Sequence, residues 1–253
     1  MTINSGRLQN PQVSDMREAE QALEDGMLKV VQFNHAPNNP EILCQINSLC
    51  LRYGAKLQVR FYGFYNSKFD ARVVEQLPNV ASLSVDCLRE IEHEEALADL
   101  PKLQKLTFGV FEFDRPDFLR LFDLSQLTYL ALIETRKRNF DLSPLEGCNQ
   151  LEALFVNTHW KGIETIAALR MLSSVSLSGF PNRSALNFLN GLSSLKQLKL
   201  LLGSRDSVAE LCNENLERLS ICWVRGLNRL GPIGRFPKLR EFSLEDQLRL
   251  DGV

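Results

Sequence analysis

Three histidines, six cysteines and several basic and aromatic loop residues are the groups in this 253-residue chain that could do chemistry. His35, His93 and His159 are too far apart in sequence to suggest a shared metal or a Cys–His nucleophile. Cys44, Cys50, Cys87, Cys148, Cys212 and Cys222 make no C-x-x-C pair, and none has a histidine at zinc spacing. Cys44, Cys148 and Cys212 stand among apolar positions and are expected as buried thiols. Cys222 is expected to be exposed, with nothing nearby to lower its pKa. The chain contains no phosphate loop, no G-x-G-x-x-G after a strand, no G-x-S-x-G and no H-E-x-x-H. These residues point away from an enzyme, and no cofactor or metal is expected.

The elements that would position any site are repetitive. LSSLKQLKL at 192–200 returns as LPKLQKLTF at 100–108, LSQLTYLAL at 124–132, CNQLEALFV at 148–156, LRMLSSVSL at 169–177 and FPKLREFSL at 236–244. Its first inward position recurs at Val80, Leu103, Leu127, Leu151, Leu172, Leu195, Leu216 and Leu239, at intervals of 21 to 24 residues. Degenerate copies precede these at Leu28, Val31, Phe33 and at Lys56, Val59, Phe61, giving about ten. Each L-x-x-L-x-L core reads as a short strand whose alternate side chains point inward. Stacked copies make a parallel sheet, each stable only with its neighbours present.

Outside the repeats, residues 1–13 are polar and expected to fray. SDMREAEQALEDG reads as a capping helix that ends at Gly26. NNPEILCQINSLCLRYG reads as a second helix, with Asn39 as its cap, Pro40 at its first position and Gly54 past its end. The predicted organisation is therefore an N-terminal tail and capping helix over 1–27 and one repeat domain over 28–253. Hydrophobic residues at 44% and charged residues at 24% suffice for a packed core. The net charge of -2 gives no overall attraction to nucleic acid or an anionic membrane. No apolar run is long enough to span a bilayer, and the polar N-terminus lacks the apolar region of a secretory signal, so a cytoplasmic location is expected.

The L-x-x-L-x-L cores, with Ile163, Ile166 and Leu169 spacing the second half of one copy, resemble the leucine-rich repeat proteins. The match is to the short class of about 22 residues found in bacterial internalins. The resemblance covers about residues 28 to 250. It implies an α/β fold, a right-handed, curved leucine-rich repeat solenoid with a parallel β-sheet on its concave face and short helices and turns on the convex face. One feature departs from the family. Where its members carry a ladder of asparagines, eight residues after each marker, this chain has Leu88, Phe111, Thr135, His159, Phe180, Gly203, Val224 and Gln247. No asparagine ladder is expected, and Phe111, Phe180 and Val224 are expected to fill its space by apolar stacking.

In that geometry the residues two, four and six after each marker face the concave side. Most are small or polar, but Tyr129, Ile133 and Phe155 cluster around Ala131 and Ala153, as a protein-binding hot spot would. Lys199 and Arg218 lie further along the same face. The loops that leave the strands carry Arg136, Lys137, Arg138, His159, Trp160, Lys161, Arg183, Arg205 and Arg225, a basic row along one rim with Trp223 beside it. Glu90, Glu92, Glu94 and Glu95 give one earlier loop the opposite sign. The expected function is a non-enzymatic protein-binding scaffold that uses the concave sheet and adjacent rim. The family resemblance extends this to a stoichiometric inhibitor or immunity-type protein, because ribonuclease inhibitor belongs to it. Nucleic-acid or anionic-ligand binding through the basic rim is the alternative, and no membrane partner is expected.

Overall fold

A computed structural model describes every residue except Asn38, Tyr65, Asn66, Arg183, Leu248 and residues 250–253. The described residues fall into two compact units. The first is Met1–Arg115 with Arg120–Leu127 and Thr135–Lys137; the second is Pro116–Leu119, Thr128–Glu134 and Arg138–Val253.

The first unit begins with a small hairpin, β1 (Ile3–Asn4) and β2 (Arg7–Gln9). Residues expected to fray are thus ordered, because Leu8 is buried and β2 pairs in parallel with β3 (Val30–Phe33). Between them α1 (Met16–Glu24) buries Met16, Ala19, Ala22 and Leu23 on one face, and Gly26 follows it with a positive φ. After β3, α2 (Pro40–Tyr53) starts where its residues require. The Asn39 side chain accepts from the Glu41 N–H at 2.9 Å, and Pro40 occupies the first turn. The parallel run continues through β4 (Gln58–Gly63), β6 (Ser82–Leu88) and β8 (Lys105–Val110). A two-stranded side sheet pairs β5 (Phe69–Asp70) with β7 (Ile91–Glu92).

The second unit is more regular. β9 (Tyr129–Leu132), β10 (Ala153–Asn157), β11 (Ser174–Ser178), β12 (Gln197–Leu201), β13 (Arg218–Cys222) and β14 (Glu241–Glu245) pair in parallel in chain order. Leu151, Leu154 and Val156 are buried, as are their counterparts Leu172, Val175 and Leu177, and Leu195, Leu198 and Leu200. Short stretches of 3-10 helix, such as Ile163–Ala168, return the chain and bury Ile163 and Ile166. Full burial of one such side chain stabilises by about 1.5 to 3 kcal/mol. Among the described residues no helix is long and apolar enough to cross a membrane.

Hydrogen bonds repeat with the leucines. Between successive strands of the second unit one carbonyl accepts from two consecutive N–H groups of the next repeat: Ser173 O from Lys196 and Gln197, and Lys196 O from Glu217 and Arg218. At the ends of β10 to β13, the residue seven after the marker turns into the left-handed region, with φ of 65° at Thr158, 68° at Gly179, 46° at Leu202 and 54° at Trp223. The turn swings the chain out of the sheet while the N–H still reaches the neighbouring strand. Leu202 N donates to Cys222 O at 3.0 Å and Trp223 N to Glu245 O at 2.9 Å.

The ladder position is filled residue by residue. Phe180 and Val224 are buried as expected. Phe111 is 49% exposed instead, because β6 bulges between Val85 and Leu88 and the inward ring becomes Phe113, packed edge-on against Phe108. His159 is fully buried: Nε2 donates to Ile133 O at 3.0 Å, and Nδ1 accepts from the Phe140 N–H at 3.4 Å. Those two bonds require the neutral ring, and burial lowers its pKa below the usual 6.5. Gln247, at the same position of the last repeat, donates to Ile221 O. Other spare carbonyls are met by Asn213, which donates to Leu189 O and Leu192 O, and by Arg205, which donates to Ser184 O and Ser207 O.

Replacing Leu202 by glycine removes the left-handed penalty of an exposed residue and should leave stability unchanged or raise it by about 1 kcal/mol. Leu200→Ala, two residues away in the core, should lose about 2 to 5 kcal/mol by urea denaturation. For His159 the folded pKa is depressed, so its contribution is complete above the unfolded value of about 6.5 and is lost as pH falls below it. The thermal midpoint should therefore drop between about pH 7.5 and about pH 5.5, and less steeply in His159→Gln.

Candidate protein-binding surface

The register of the second unit gives the sheet face its geometry. Ala153 pairs with Tyr129 and Ser174, and Phe155 pairs with Ala131 and Ser176. Tyr129 and Phe155 are therefore diagonal neighbours on one face, with Ile133 just beyond the end of β9. All three are half-buried, and the floor between them is small: Ala131 is buried, while Ala153 and Ser176 are half-buried. The His159 hydrogen bond to Ile133 O fixes the backbone that carries the third member of this group. Lys199 is exposed on β12, and Arg218 on β13 faces Glu241 at 3.1 Å.

The sheet face of the first unit differs. Arg60 binds Asp86 at 2.8 Å, donates to Gln32 and lies 4.4 Å from the Tyr62 ring centroid. Gln32 and the Tyr62 hydroxyl both donate to the Gln9 side-chain oxygen. The polar groups of that face are largely engaged with one another.

The rim is less uniform than its sequence implies. In the first unit Arg136 pairs with Glu112 at 2.9 Å and Lys137 with Asp114 at 3.6 Å. In the second, Arg138 pairs with Glu134, and Lys161 with Asp141 at 3.1 Å. Ser143 together with Lys161 holds the Asp141 carboxyl down at about 2. His159 is not a rim residue, because both ring nitrogens are committed inside the fold. Arg205 is also buried, paired with Glu210 at 2.6 Å and lying over the Phe180 ring. Trp160 is half-buried, edge-on to Phe180 with centroids 4.6 Å apart. Trp223 is 45% exposed, and its indole N–H donates to Asp246. Arg225 is exposed, and Arg183 lies outside the described residues. The acidic loop is paired too, Glu90 with Lys68 and Glu94 with Arg115.

The thiols divide differently from expectation. Cys148 is buried and its pKa is pushed up to about 12, but Cys44 and Cys212 are exposed. Cys44 falls on the solvent side of α2, and Cys212 in a loop between repeats. Cys222 is buried rather than exposed, and burial raises its pKa. Among the described residues Asp70, Glu92 and His93 bring ligand atoms within 4.8 Å of one another, but Arg72 already holds the Asp70 carboxylate through two nitrogens.

Sequence reasoning missed Leu202, which is 54% exposed beside Trp223. Its signal was available in the column seven after the marker, where two bulky apolar residues stand in succession.

No family model matches the sequence, and no curated protein does. Solved structures match by fold. An internalin from Listeria monocytogenes aligns over 90% of this chain and 77% of its own, at 14% identity and a TM-score of 0.54. The structure of the Toll–Spatzle complex of Drosophila aligns over 96% of this chain and 37% of its own, at 16% identity and a TM-score of 0.57. With its parallel strands, buried leucine columns and short return turns, the chain has the leucine-rich repeat fold.

Proposed function

We propose that the chain is a non-enzymatic scaffold that grips another protein with the sheet face and strand exits of its second unit. The observation that carries this reading is the group Tyr129, Ile133 and Phe155, half-buried aromatic and aliphatic side chains over a small-residue floor. Aromatic anchors of this kind contribute most of the energy in many protein interfaces. Lys199, Arg218 and Trp223 extend the same surface, with Trp160 and Lys161 at its margin. Arg138 is a secondary contributor, since it already has a carboxylate beside it, and Arg136 and Lys137, likewise paired, belong to the first unit. That pairing also weakens the alternative of a nucleic acid or other anionic ligand on the rim.

Within the scaffold class we favour a stoichiometric inhibitor or immunity-type role, which needs a contact surface and no catalytic group. A cytoplasmic location accords with six cysteines that form no disulfide.

The test compares wild type with Tyr129→Ala/Phe155→Ala in affinity capture from the source cells, followed by titration of the retained protein. The double variant should bind at least about tenfold more weakly, equivalent to about 1.4 kcal/mol, with its thermal midpoint unchanged. Equal affinity would remove the cluster from the interface. Binding that collapses between low and high salt and follows nucleic acid would favour the rim instead.

A further inference from the structure

We propose that the strand exits of the second unit form a lane for one extended segment of a protein partner. That segment carries two apolar side chains four residues apart, with an acidic residue between them. This rests on the sheet-face reading above and names the chemistry of what that face holds.

The lane has an apolar group at each end. At one end are Ile133 and Phe155; at the other are Leu202 and Trp223, 54% and 45% exposed, which with Arg225 and Asp246 line an open depression. Leu202 and Trp223 occupy left-handed backbone, the conformation for which glycine is the least strained residue. Glycine does stand at that position in one repeat, at Gly179. Two bulky apolar side chains held there against local preference, and left in solvent, are an observed outlier of the sort that marks contact sites. Between the two ends the floor is low: Asn157 is half-buried, Ser178 is buried, and Gly179 has no side chain. Thr158, in the same row, has a hydroxyl buried without a hydrogen-bond partner among the described residues.

Spacing selects the occupant. Ile133 follows β9 and Leu202 follows β12, three strand steps away, which is about 14 Å at roughly 4.8 Å per step. In an extended chain, side chains four residues apart share a face and stand about 13.5 Å apart. A helix advances only about 6 Å in four residues and would meet one end of the lane. Charge selects the middle of the segment. Lys199 on β12 and Arg225 after β13 are exposed and form no ion pair among the described residues, in contrast to Arg138, Lys161 and Arg205. An acidic side chain between the two apolar ones would lie within reach of Lys199.

Fluorescein-labelled nine-residue peptides with two leucines separated by two, four or six positions, and aspartate or lysine between them, test the lane by fluorescence anisotropy. The four-residue separation with aspartate should bind at least tenfold more tightly than the other separations. Phe155→Ala and Trp223→Ala should each weaken it about tenfold without lowering the melting temperature, and Lys199→Glu should transfer the preference to the lysine peptide. Equal binding at all separations, or no binding, overturns the lane. If a captured protein still discriminates wild type from Tyr129→Ala/Phe155→Ala in that case, the sheet-face reading stands without it. A preference for four that survives Phe155→Ala but not Trp223→Ala overturns both, since the exposed ridge would then bind alone.

Discussion

Every repeat leaves backbone groups that only the next repeat can satisfy, and the architecture depends on that constraint. A single L-x-x-L-x-L strand has no hydrogen bonds of its own and buries its leucines against nothing. In the second unit the doubled acceptors at strand starts and the left-handed donors that follow β10 to β13 turn this deficit into a frame. Side chains then have two separate tasks. Those pointing inward make the core, and those pointing outward are free to vary within the backbone conformations the frame imposes.

Among the described residues, the return turns have no comparable repeated device. A regular asparagine ladder would satisfy the carbonyls that the return turns expose, and this chain meets them with individual solutions. His159, Asn213, Arg205, Arg235 and Gln247 each reach a different set of carbonyls. Ionisable groups have thereby been taken inside, and burial lowers the pKa of both His159 and Arg205. The same contact that removes His159 from the rim fixes Ile133, so a structural solution on one side of a strand shapes a candidate contact on the other.

The strands and their inward faces were legible because alternation and interval agree over many copies, and α2 because Asn39, Pro40 and Gly54 each have one strong preference. The register of Tyr129, Phe155 and Lys199 was legible for the same reason. The hairpin at the start was not, since Leu8 is the one residue of its two strands that is buried and two- and three-residue strands carry no periodicity. Phe111 and Phe113 exchanged roles because a bulge shifts register by an amount that no residue type announces. His159 beside Trp160 and Lys161 reads as a loop histidine, and only the carbonyl of Ile133 and the amide of Phe140 reveal that it faces inward.

The doubled acceptor also bears on how such a chain can change length. Each repeat of the second unit offers the same acceptor forward and the same donors backward, so excising one whole period would bring equivalent groups together and close the frame again. Loss of a single residue inside a strand would instead turn the remaining side chains of that strand to the opposite face. Whole periods are therefore the natural unit of gain and loss, except where a private contact spans the cut. Removing the stretch that holds Ile133 and Phe140 would strand His159 with both ring nitrogens unmatched, and removing the one that holds Leu189 and Leu192 would do the same to the Asn213 amide, so those periods of the second unit are not freely expendable.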